Sequence, residues 1–102
     1  REWLYVDDGA EALIRALEIP FTIEPINIGR GEGVSIKELA GLIKEAVDYQ
    51  GKMVFDATKP DGALCKIMVV DKMKKIFDWS PSTTLEEGIK KTIEDYYVQR
   101  GH

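Results

Sequence analysis

Cysteine and histidine are almost absent from these 102 residues: Cys65 and His102 each stand alone. One cysteine allows neither an internal disulfide nor a cysteine-rich metal cluster. One histidine at the last position removes Ser-His and Cys-His nucleophile pairs, and it reads as a frayed end rather than as chemistry. Excess positive charge is lacking too. A formal net charge of −4 excludes a general binder of nucleic-acid backbones, which needs a basic surface. No apolar run approaches the roughly 18 residues of a membrane span, and no secretory leader is visible. Repeats and low-complexity tracts are missing. Together these absences point to the reducing cytoplasm, away from membranes and nucleic acid.

What is present is ordinary for a globular protein: 44% apolar and 31% charged residues, enough for one domain spanning 1–102. The chain opens on REWLYV, a strand-like run with no leading turn, as expected of a fragment of a longer protein. Trp3 to Val6 predicts a short strand. Asp7 and Asp8, followed by Glu11, predict the cap and first turn of a helix carrying Leu13, Ile14 and Leu17. Pro20 stops it. Glu24 to Gly29 predicts a second strand. Ser35 and Glu38 form a capping box. Ile36, Leu39, Ala40, Ile43 and Val47 follow at helical spacing. Lys52 to Phe55 and Ile67 to Val70 predict two more short strands. Asp71 is placed to cap a short helix with Met73, Ile76 and Phe77. Thr84 and Glu87 form a second capping box, and Leu85, Ile89, Ile93 and Tyr96 line the last helix. A few short strands alternating with about four helices predict an α/β fold.

Gly29, Gly31 and Gly33 follow an expected strand and precede a helix, the context of a phosphate-binding loop. Their spacing is G-x-G-x-G rather than G-x-G-x-x-G, so a tight strand-to-helix turn is the preferred reading. Lys72, Lys74 and Lys75 read as a solvated helix face. Trp3, Phe77 and Trp79 read as core, and Tyr96 and Tyr97 as the closing turns of the last helix. This leaves Arg1, whose planar fork suits a phosphate, and KPDGALCK at 59–66. There Lys59 and Lys66 flank a Pro-Asp-Gly turn, and the Asp61 carboxylate could accept hydrogen bonds from sugar hydroxyls. The candidate binding residues are Arg1, Lys59 and Asp61. No catalytic, cofactor-binding or metal-ligating residue is assigned.

Four segments carry a resemblance. REWLYVDDGAEAL is similar to R-E-F-x-H-V-D-D-x-A-x-A of the extended short-chain dehydrogenase/reductases (the NAD-dependent epimerase/dehydratase family). INIGRGEGVSIKELAGLI resembles their N-I-G-x-G-x-x-x-S/T-I-x-E-L-A. VFDATKPDGALCKIMVVDKMKKIFDWSP resembles V-F-D-x-x-K-P-D-G-x-x-x-K-x-x-D with a following G-W-x-P. TTLEEGIKKTIEDYY matches the closing helix. The K-P-D-G form points within the family to the GDP-L-fucose synthase branch.

The resemblance implies a C-terminal substrate-binding domain whose Rossmann domain, glycine fingerprint and Ser-Tyr-Lys set lie outside these residues. It implies NADP held by that other domain, a GDP-sugar substrate, epimerisation followed by reduction, and a homodimer in the intact protein. The fragment by itself would be inactive and prone to self-association. In the family the arginine matching Arg1 contacts the nucleotide, and the aspartate matching Asp61 belongs to the substrate site. Tyr5, Gly9, Cys65 and Asp78 depart from the pattern. Cys65 removes a basic charge near the expected diphosphate, which leaves the sugar nucleotide open. The alternatives are a non-catalytic nucleotide-sugar or protein-binding module, or a piece of a related epimerase/dehydratase.

Overall fold

Among the described residues four segments become helices: α1 (Val6–Ala16), α2 (Ile36–Ala46), α3 (Asp71–Phe77) and α4 (Leu85–Arg100). The structure, a computed structural model, describes residues 1–20 and 24–101. His102 lies outside them. Local chemistry sets two of the starts. Ser35 Oγ accepts the Glu38 backbone N–H at 3.0 Å and caps α2. Thr84 Oγ1 accepts the Glu87 N–H at 3.2 Å and donates to Glu87 Oε1 at 3.0 Å, opening α4. These side chains satisfy amides that a helix start leaves without partners.

Two expected caps are corrected. α1 begins at Val6, with Tyr5 in the N-cap position and no side-chain cap bond. Asp7 sits in its first turn, and Asp8 is buried instead of capping. Asp71 is the first residue of α3, and Val70 takes the cap position. α3 ends at Asp78, which adopts the left-handed conformation with φ 48°. That region favours glycine. The glycine in the corresponding G-W-x-P pattern therefore has a conformational reason.

The expected strands are also corrected: among the described residues none of 3–6, 24–29, 52–55 or 67–70 forms a strand. A strand exists only beside another edge that pairs with its backbone. Here side chains take over several of those bonds. Glu2 Oε1 accepts the Met68 N–H at 2.7 Å, and Asn27 Nδ2 donates to the Val69 carbonyl at 3.3 Å. Arg1 and Val34 do exchange a reciprocal backbone pair, at 3.0 and 2.9 Å.

The core is small. Met73 is fully buried, with Ala12, Val70, Phe77 and Trp79 around it and Ala16, Ile19, Ile26 and Ile28 packed at its margin. It lies where α1 meets α3, while α2 packs on α4. Phe77 and Trp79 are core as expected, but Trp3 is 43% exposed. The molecule is flat, 50 × 37 × 17 Å, with a radius of gyration of 16.7 Å. A compact chain of this length would have about 13 Å. The thinness shows in α1, where Val6, Leu13, Ile14 and Leu17 form an apolar stripe that faces outward, Leu17 being 86% exposed.

Candidate substrate site

Arg1 is held at both backbone ends by Val34, so its side chain leaves from a fixed point. It reaches across 62 positions of sequence, and Nη1 donates to the Ala63 carbonyl at 2.6 Å. Nη2 lies so close to Gly62 that a Cβ there would stand 2.9 Å from it. The structure therefore brings Arg1 onto the backbone of the K-P-D-G stretch. The guanidinium thus lies directly against the Gly62 backbone.

The turn in this stretch lies earlier than its composition indicates. Asp56 Oδ1 accepts from the Thr58 N–H at 3.0 Å and from its hydroxyl, and the Lys59 N–H donates to the Asp56 carbonyl at 3.3 Å. Hydrogen bonds from Thr58 hold the Asp56 carboxyl below its ordinary range. The hydrogen-bonded turn thus falls on 56–59, and 60–63 has no regular secondary structure. Lys59 and Asp61 are exposed along it, as is the free thiol of Cys65.

A cavity of about 490 Å³ opens beside Arg1, lined also by Trp3, Arg30, Glu32, Gly33 and Thr84 among others. Neither Lys59 nor Asp61 lines it. Arg30 Nη1 donates to the Thr83 carbonyl, and Nη2 lies 3.9 Å from Glu32. Two arginines and a tryptophan thus border this cavity. A second cavity of about 480 Å³ runs between α2 and α4 and is largely apolar, lined by Leu39, Ile43, Leu85, Ile89 and Ile93.

Reading the sequence missed Trp3, Arg30 and Glu2. The signal available for Glu2 was its place directly after Arg1. In an extended segment successive side chains point to opposite sides, so one residue can face the site while the next faces the scaffold. The glycine loop was also read too simply as a turn. Its Arg30 and Gly31 amides donate to Glu2 Oε2 at 2.6 and 3.3 Å. The loop cradles a carboxylate of the chain itself. A Cβ at Gly29 would stand 2.0 Å from that oxygen, so the carboxylate lies directly against the Gly29 backbone. Among the described residues no group of three or more His, Cys, Asp or Glu could hold a metal ion, and no helix is long and apolar enough to cross a membrane.

No protein-family model matches the chain. Among curated proteins it is 44% identical to probable GDP-L-fucose synthase 1 of Oryza sativa subsp. japonica, over 97% of this chain and 30% of that protein. It is 37% identical to GDP-L-fucose synthase of Escherichia coli strain K12, over 92% of this chain and 32% of that protein. Among solved structures, a UDP-glucose 4-epimerase with UDP-glucose from Thermotoga maritima superposes with a TM-score of 0.87 at 32% identity. It covers 98% of this chain, which spans 32% of that one. The chain is similar, over nearly its whole length, to the C-terminal part of GDP-L-fucose synthases and to extended short-chain dehydrogenase/reductase epimerases. A GDP-6-OMe-4-keto-L-xylo-heptose reductase from C. jejuni follows at TM-score 0.82 and 30% identity, covering 97% of this chain and 31% of its own. The chain therefore spans about a third of the length of its relatives. The fold is shared with these structures over 97–98% of this chain, even though no strand forms among the described residues.

Proposed function

We propose that this chain is the sugar-nucleotide-binding part of a GDP-L-fucose synthase-like, NADP-dependent epimerase-reductase. The observation that carries the reading is the docking of the Arg1 guanidinium on the Gly62–Ala63 backbone. A guanidinium has five N–H donors, and one bond to Ala63 leaves others for a phosphate or ribose oxygen. Asp61, two residues before Ala63 and exposed, would accept hydrogen bonds from hydroxyls of the same ligand, and Lys59 would add charge at its edge. Both lie on the segment that Arg1 grips, although neither lines the cavity.

The whole enzyme would epimerise and then reduce a GDP-4-keto-6-deoxy sugar. This part would supply binding energy from the GDP end, which orients the reacting sugar without touching the reacting bonds. The reductant would be held outside these residues, in the Rossmann part that the resemblance implies for the whole enzyme. The flat shape and the outward apolar stripe of α1 suit a piece that packs on a further domain, and homodimerisation of the intact protein belongs to the same reading. Exposed apolar faces of this kind seek a partner.

Titration of the 102-residue chain with GDP, UDP and dTDP, followed by amide shifts, tests the proposal. GDP should move the resonances of residues 59–66 selectively, and Asp61→Ala should abolish the response. Equal indifference to all three nucleotides would sink it.

A further inference from the structure

We propose that Glu2 is a positioning residue that sets where Arg1 stands in the site; this rests on the substrate reading given above. One carboxylate gathers three backbone amides from two separate segments: Arg30 at 2.6 Å and Gly31 at 3.3 Å on Oε2, and Met68 at 2.7 Å on Oε1. Arg30 and Gly31 belong to the glycine loop. Met68 closes the stretch that begins at the K-P-D-G sequence. Glu2 thus ties the loop and the substrate segment to the residue next to Arg1. Charge-assisted bonds of this kind are the stronger ones.

The surroundings are cut to admit this arrangement. A Cβ on Gly29 would lie 2.0 Å from Glu2 Oε2. On Gly33 it would meet the Arg1 carbonyl at 3.2 Å and the Ile67 side chain at 2.7 Å. Three positions, 29, 33 and 62, therefore lack side chains where the Arg1-Glu2 unit presses in. Gly31 adds a φ of 75°, which turns its amide toward the carboxylate at a backbone angle that costs other residues. The consequence is directional. With Glu2 pinned to the glycine loop and to Met68, the neighbouring Arg1 is held where its guanidinium reaches Ala63.

Glutamine at position 2 keeps the shape but turns an amide group toward amide donors, whichever way it is rotated. Aspartate keeps the charge but is one methylene too short to reach both segments. In the full 102-residue chain, E2Q and E2D should each remove the separate Arg1 guanidinium resonances, which report a held side chain. Each should weaken the GDP response about tenfold or more, the effect of losing bonds to a charged acceptor. Amide shifts along α4 should stay in place. Unchanged Arg1 resonances in E2Q would overturn the proposal. If the wild-type chain ignores GDP, the substrate reading falls, and the Arg1 resonances still decide the role of Glu2. If neither variant folds, amide exchange in the wild-type chain decides it. Slow exchange at Arg30 and Met68 supports the clamp, and free-chain rates refute it.

Discussion

Replacing Asp8 is the sharpest test of how this chain holds together. Asp8 is 4% exposed, and among the described residues it accepts the Thr83 N–H at 3.1 Å and the Thr83 hydroxyl at 3.2 Å. Thr83 is itself buried, and its carbonyl takes Arg30 Nη1. The pair therefore joins α1 to the start of α4 across 75 positions and reaches on to the glycine loop. Asp8→Ala strands two buried donors. At about 1–3 kcal/mol for each unsatisfied buried group, the loss should be roughly 2–6 kcal/mol. For a domain near 100 residues this lowers Tm by about 10 °C or more. Asp8→Asn should behave differently. Its carbonyl can still accept the Thr83 N–H, and its amide can donate to the hydroxyl oxygen, so the loss should stay below about 1 kcal/mol. Thermal melts followed by circular dichroism separate the two. The reasoning fails if Asp8→Ala melts within about 1 °C of wild type, or if Asn is as damaging as Ala.

Two further outcomes are expected. Asp78→Gly should raise Tm by several degrees, because relieving a left-handed non-glycine residue is worth up to about 1 kcal/mol; an unchanged or lower Tm would show that the Asp78 side chain compensates for its backbone. Glu24 should titrate below the ordinary glutamate range, because Lys72 donates to its carboxylate at 2.7 Å. A lowered folded pKa gives stability that is present above the unfolded value and lost as pH falls through the folded one. The pair is exposed and contributes little to melting, so a carboxyl-carbon titration is the readout. Lys72→Ala should return Glu24 to its ordinary range, and no change would refute the ion-pair assignment.

The helices were legible because their signals are local. Ser35 with Glu38, and Thr84 with Glu87, lie within one turn of each other, and the apolar repeats of α2 and α4 report a single helix face. The strands were misread because Lys52 to Phe55 or Ile67 to Val70 can declare only that they are apolar and extended. Whether they pair depends on an edge supplied from elsewhere. The lysine cluster was half legible: Lys74 and Lys75 are exposed on α3, but Lys72 is tied to Glu24 across 48 positions.

Sequence alone determined the four helices, the family resemblance, and Arg1 and Asp61 as the residues to watch. Only the tertiary structure decided that Arg1 lies on Ala63, that Asp8 serves Thr83 rather than its own helix, and that the glycine loop cradles the Glu2 carboxylate. The physical reason is separation. Caps and periodicity act over three or four residues, whereas each of these bonds joins groups 28 to 75 positions apart. Their partners are chosen by how the chain folds back, not by the residues beside them.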